Sequence, residues 1–248
     1  MSEEGLTPAV ELPADEALEL LREGELAVEG RLVEASNATL YCSVRRGDLV
    51  AACVYKPVTG ERPLWDFPDG SLAERELAAH EVSVATGWCI VPPTVYRDGP
   101  YGPGMVQLWI DADETVDIVA LVRRSNSAQL RRIAVFDAVI NNADRKGGHL
   151  LPIRSGHIYG VDHGVTFNVD PKLRTLLWQW AGEPLTDEAV DVLSSLRAQI
   201  EGPLGDRLHE LLTTREVRRT VRRIEHLLRE RCHPWPDEDR PAIPWPPI

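Results

Sequence analysis

Between residues 25 and 110 the sequence runs through short segments separated by turn signals, interrupted once by a single long helical pattern, and that order leaves few folds open. The segments ELAVEGRLV, ATLYCSVRRG, DLVAACVYKP, CIVPPTVYRDG and YGPGMVQLWI are rich in Val, Ala, Leu and Tyr, and they predict five strands. The interruption is SLAERELAAHEVSVATG, between the third and fourth strands. Ser71 and Glu74 match a capping box, Leu and Ala recur at helical spacing, and Gly87 supplies a stop. The first two strands flank EASN and read as a hairpin, while PVTGERPLWDFPDG, residues 57–70, is a Pro/Gly loop.

The remainder is helical. A short helix, DEALELLREG, precedes the strands, and the acidic DADET marks a crossover to helices expected near 116–123, 127–142, 186–200, 203–213 and 215–232. LLPIR and HIYGVD predict a small hairpin turning at SGH. The tail HPWPDEDRPAIPWPPI is too rich in proline for a helix. The expected architecture is α+β: an N-terminal antiparallel sheet with one long helix over residues 1–110, then a mostly helical part over 111–248.

Charge narrows the class of partner. The 248 residues carry 27 Lys and Arg against 39 Asp and Glu, a formal charge of −12, which argues against nucleic-acid binding and against adhesion to an anionic membrane. The basic stretch REVRRTVRRIEHLLRERC reads as a solvated helix with Glu–Arg pairs. Cys42, Cys53, Cys89 and Cys232 form no CxxC pair, and the first three sit in apolar surroundings suited to reduced core residues. The N-terminal stretch has no basic region and no segment approaches the length of a membrane span, so a cytoplasmic protein is expected.

The stretch AVFDAVINNADRKGGHLL packs Asn141, Asn142, Asp144, Arg145, Lys146 and His149 onto one turn, more ligand chemistry than a connecting loop needs. An Asp on a rigid turn can accept a hydroxyl proton while neighbouring cations offset phosphate charge. Lys56 ends an apolar strand, where its charge must be paired or solvated. Glu76 in the long helix is the candidate partner, with Glu74 and Glu81 as rivals. In YGVDHGVTF, a strand delivers Asp162 to a break at His163 and Gly164, a position suited to a hard cation such as Mg²⁺. The hairpin between them would bring Asp144 and Asp162 to one end.

These residues resemble the kinase superfamily layout. FDAVINNADRKGGH is similar to the catalytic loop of phosphatidylinositol 3- and 4-kinases, of the atypical branch. More closely, YKPVTGERPLWDFPDGSL, GWCIVPPTVYRDGPYGPGMVQLW and VDHGVTF resemble an actinobacterial family of uncharacterised proteins distantly similar to those kinases, over residues 26–180. The resemblance implies a two-lobed kinase-like fold and an ATP- and Mg²⁺- (or Mn²⁺-) dependent phosphotransferase acting on an unidentified protein or small-molecule hydroxyl. By the same resemblance Lys56 contacts the nucleotide phosphates and Glu76 holds it. Ser36 and Asn37 lie on a phosphate-covering hairpin, and Gln107, Leu108 and Trp109 meet adenine. Asp144 is the catalytic base or the orienter of the nucleophile, with Arg145 or Lys146 near the transferring phosphate, and Asp162 binds the metal. His149 stands where many kinases place a metal-binding Asn; imidazole suits Mn²⁺ or Zn²⁺ better than Mg²⁺. That departure leaves a second reading, a non-catalytic nucleotide sensor. A third, a metal hydrolase built on His149, His157 and His163 with Asp144 and Asp162, has histidine spacings that match no common zinc signature.

Overall fold

The computed structural model describes residues 12–32, 37–124 and 126–247. Its N-terminal part is one five-stranded sheet of β1 (Glu25–Arg31), β2 (Leu40–Arg46), β3 (Leu49–Pro57), β4 (Thr94–Gly99) and β5 (Gly102–Leu108). The order is β1-β2-β3-β5-β4, with every neighbouring pair antiparallel. Helix α1 (Ala14–Glu23) covers one face, burying Ala17, Leu20 and Leu21 against Cys42, Cys53, Tyr55, Val95 and Val106. Arg97 fastens it by donating to the carbonyls of Leu21 and Gly24, which the end of the helix leaves unpaired. Side chains alternate across a strand, so burying Cys53 and Tyr55 beneath α1 sends Lys56 to the opposite face.

That opposite face meets α2 (Leu72–Thr86), which is buried almost all round and therefore central rather than peripheral. The expected capping box does not form. Ser71 Oγ donates to the Pro68 carbonyl instead, and Glu61, from the preceding loop, accepts from the free Leu72 and Ala73 N–H groups at 3.1 and 2.9 Å. A carboxylate reaching in from the loop satisfies the same donors and adds charge at the positive helix end. Gly87 ends the helix at φ 68°, the left-handed conformation that favours glycine.

The C-terminal part holds α3 (Ile118–Val122), α4 (Ala128–Ile140), the hairpin β6 (Leu150–Pro152) and β7 (Ile158–Gly160), then α5 (Asp187–Gln199), α6 (Pro203–Leu211) and α7 (Thr214–Glu230). Its core joins Ala78, Ala79 and Val82 of α2 to Phe136, Ile140, Trp180, Leu193, Leu208 and Ile224, so α2 packs with the helices as well as on the sheet. Arg75 makes that attachment polar as well as apolar. It is buried, paired with Glu216 at 2.5 Å, and donates to the Thr166 carbonyl at 2.7 Å. Glu216 is also the reciprocal member of the capping box that opens α7.

The tail from His233 is extended and lies along 171–178. Thr175 N–H and Trp178 Nε1 both donate to the Ala242 carbonyl, and the Pro247 carbonyl accepts from Gly147 N–H. Cys42 and Cys53 face each other across β2 and β3 in the core, whereas Cys89 is exposed just past α2, outside any strand. No helix among the described residues is long and apolar enough to cross a membrane.

Candidate functional site

The α4 helix ends at Asn141, in the left-handed conformation at φ 55°, and the chain then turns sharply enough to need internal anchors. Asn141 supplies one set, donating to the carbonyls of Asn168 and Asp170 and accepting from Lys172 N–H. Asn142 supplies the other: its amide nitrogen donates to Asp137 Oδ1 and its oxygen accepts from Asp144 N–H at 3.0 Å. The fully buried Asn142 amide thus ties Asp137 of α4 to the Asp144 backbone and fixes the turn. Asp144 is partly exposed and pairs with Lys146 at 3.1 Å.

Arg145, expected beside a phosphate, points the other way. It is 0% exposed, doubly bonded to Asp137 through Nε and Nη2, and its Nη1 reaches the carbonyls of Val161 and His149. Nη2 also lies 2.6 Å from Nε2 of the buried His163. Burial and the Arg145 charge hold His163 well below its ordinary pKa, so the ring is neutral and accepts from Arg145. Asp137 escaped the sequence reading, although a carboxylate inside the apolar run AVFDAVI requires a buried cation.

The hairpin β6–β7 returns the chain to Asp162, whose φ of 64° is a left-handed conformation that Asp tolerates better than most residues. Here the two halves of the molecule meet. Lys56 Nζ lies 2.7 Å from Glu76 Oε1 and 2.8 Å from Asp162 Oδ1. It is Glu76, not Glu74 or Glu81, that reaches Lys56; Glu81 pairs with Arg207. The second Glu76 oxygen accepts from the His163 backbone N–H at 2.8 Å, tying α2 to the Asp162 turn. Burial alone would pull the Lys56 pKa down, but the Asp162 and Glu76 charges outweigh it and hold the ammonium above its ordinary value. Reciprocally, Lys56 holds the Asp162 carboxyl well below the usual range. His149 Nε2 stands 3.3 Å from the other Asp162 oxygen, and burial lowers the His149 pKa.

Lys56, Glu76, Asp144, Lys146 and Asp162 line one cleft of about 1110 Å³, together with Asn37, the 57–70 loop, α7 and the tail. Asn37 is held there by accepting from Arg62 N–H, while Ser36 lies outside the described residues. Gln107, Leu108 and Trp109 do not line this cleft. The Gln107 amide donates to Thr94, Leu108 N–H to the Pro93 carbonyl and Trp109 N–H to the Ala52 carbonyl, so these donors are spent inside the sheet. His149, His157 and His163 do not converge either: His157 bonds the Cys89 carbonyl, and the described residues form no group of three or more metal-binding side chains.

A sheet-bearing part over a helical part, with this cleft between them, is a kinase-like fold. It resembles the proinflammatory kinase CtkA of Helicobacter pylori with a TM-score of 0.50 and 11% identity, over 86% of this chain and 94% of that one, a likeness of fold alone. The chain belongs to the family of Protein Rv2133c from Mycobacterium tuberculosis, with which it is 43% identical over 266 residues, covering 94% of this chain and 95% of that protein. No family model matches the sequence.

Proposed function

We infer that this protein is an ATP-dependent phosphotransferase of the atypical kinase type, passing the γ-phosphate to a hydroxyl group. The observation that carries the reading is the shared ammonium. Lys56, from the sheet, is bound at once by Glu76 of α2 and by Asp162 beside the Asp144 turn, at the edge of a cleft large enough for a nucleotide. Such an ammonium is fixed and charged, as an anchor for phosphate oxygens must be. Asp144, positioned by Asn142, accepts the proton of the attacking hydroxyl as its oxygen bonds to the γ-phosphorus, and the bond to the β-phosphate oxygen breaks to release ADP. Lys146 offsets phosphate charge. Arg145 acts from behind, holding the loop through Asp137, and is a positioning residue.

A divalent cation fits this setting. Asp162 is 52% exposed and ionised, which suits Mg²⁺ or Mn²⁺ shared with phosphate and water oxygens, and the neutral His149 beside it suits Mn²⁺ better. When bound, the ion supplies charge neutralisation for the transferring phosphate.

The test is nucleotide binding and ATP turnover with Mg²⁺ or Mn²⁺, in the wild type and in Asp144→Asn. Turnover is expected to fall by about 10²–10⁴-fold in the variant while binding persists. Wild-type protein that binds no nucleotide with either metal overturns the reading. A second reading is favoured by His149 standing against Asp162: a nucleotide sensor, which binding without turnover, insensitive to Asp144→Asn, would assign.

A further inference from the structure

Helix α7 is solvated along its basic side, as its sequence suggests, with Arg219, Arg222 and His226 exposed and Arg229 paired with Glu230. On the face formed by Arg219, Arg222, Arg223 and His226, spaced i, i+3, i+4 and i+7, the side chains line the same cleft as Asp144 and Asp162. Elsewhere arginines find carboxylates: Arg75 with Glu216, Arg197 with Glu225, Arg229 with Glu230. Among the described residues no ion pair joins Arg219, Arg222 or Arg223 to an acid. Arg223 bonds only neutral oxygens, the carbonyls of Val139 and Asn168 and the Thr220 hydroxyl. Burial first and the neighbouring Arg219 second disfavour its charge, offset only in part by Glu216, and a bound anion would favour it further. Arg174 joins the same wall, its Nε donating to the Ala143 carbonyl and no carboxylate paired with it among the described residues. The acids on this side, Asp170 and Asp237, do not pair with the α7 arginines.

Size and shape add to the argument. At about 1110 Å³ the cleft exceeds the roughly 300–1,000 Å³ of an ordinary small-molecule site, leaving space beside a nucleotide. Arg223 is partly buried in the cleft wall, while Arg219 and Arg222 are exposed along its rim. Its wall includes the exposed tryptophans 235 and 245 of the tail, and Ala242 of that tail is held by hydrogen bonds from Thr175 and Trp178. A chain whose net charge is −12 thus keeps an unneutralised cationic wall beside its candidate catalytic base.

The geometry points to α7 as the acceptor-binding wall, and to an acceptor that is a small, soluble phosphate ester with a free hydroxyl, its existing phosphate held by Arg219, Arg222 and Arg223 while the hydroxyl faces Asp144. This rests on the phosphotransferase reading. It goes beyond that reading in naming the acceptor class and the residues that select it.

The experiment is calorimetric titration of the full chain with glycerol 3-phosphate and ribose 5-phosphate, against glycerol and ribose, with and without a non-hydrolysable ATP analogue. The phosphate esters are expected to bind and the uncharged polyols not. Arg219→Gln/Arg222→Gln is expected to weaken the esters by about tenfold or more, Arg219→Lys/Arg222→Lys by less, and both to leave the ATP-analogue affinity within about twofold. Added salt is expected to weaken the esters in the wild type. Equal binding of esters and polyols, no ester binding at about 10 mM, or no loss in the Gln variant overturns the inference. So does a parallel loss of the ATP analogue, which would give these arginines to the nucleotide. Binding only to vesicles containing phosphatidylglycerol, and not to the free esters, would give the surface to a membrane and equally overturn it. Failure of the wild type to bind the ATP analogue sinks the phosphotransferase reading, while ester binding without nucleotide still judges the wall by itself.

Discussion

Two ion clusters lie within a few residues of each other in this protein, and they are built on opposite plans. In the Asp137–Arg145 cluster both partners are 0% exposed, and Asn142, His163 and two carbonyls account for the remaining hydrogen-bonding groups. In the Lys56 cluster two carboxylates share one ammonium, and one of them, Asp162, is half exposed to the cleft. A closed cluster has nothing left to offer a ligand and can only hold the chain in place. An open one carries surplus negative charge facing solvent, where it stays available to a cationic partner. Partner accounting thus separates scaffold from candidate chemistry more sharply than residue type does, since an Asp and a cation serve in both.

The contrast can be broken most forcefully at the closed cluster. Asp137→Ala strands a buried guanidinium and is expected to cost about 3–5 kcal/mol in chemical denaturation. A loss near zero would mean the cluster is not closed. Acid comes next. His163 in the closed cluster is held neutral, as are His80 and His233, which burial first and nearby arginines second push down to about 4. Folded values below the unfolded ~6.5 mean that stability is full above ~6.5 and is lost as pH falls through about 4. Denaturant midpoints measured from about pH 7 to 5 should fall by the equivalent of a few kcal/mol; a flat profile contradicts the buried-neutral assignment. The smallest effect belongs to the open cluster. Asp162→Asn keeps a residue that tolerates positive φ and leaves the Lys56–Glu76 pair intact, so stability should change by less than about 1 kcal/mol. A large loss would make Asp162 part of the scaffold.

The parts of this fold legible in the sequence are those decided locally. Strand periodicity, the helix between Ser71 and Gly87, the β6–β7 hairpin and the order of the C-terminal helices all follow from patterns a few residues long. The placement of Lys56 opposite Tyr55 follows from strand alternation as well. What was not legible depends on partners distant in sequence. Glu61 displaces the expected cap because a loop folds back onto α2. Arg145 turns inward because Asp137 waits below it, and the strand end at Leu108 and Trp109 gives its N–H groups to Pro93 and Ala52. The basic stretch of α7 is solvated as it reads, but that four of its residues also border the cleft depends on the tail and the 57–70 loop.

Adjacent residues of α2 commit that helix in two directions: Glu76 grips the sheet through Lys56, while Arg75 is locked in a buried pair to the start of α7. Swinging the helix outward would have to expose or orphan that pair, at a cost of several kcal/mol. The helix is therefore held as a fixed axle between the sheet and the helical part.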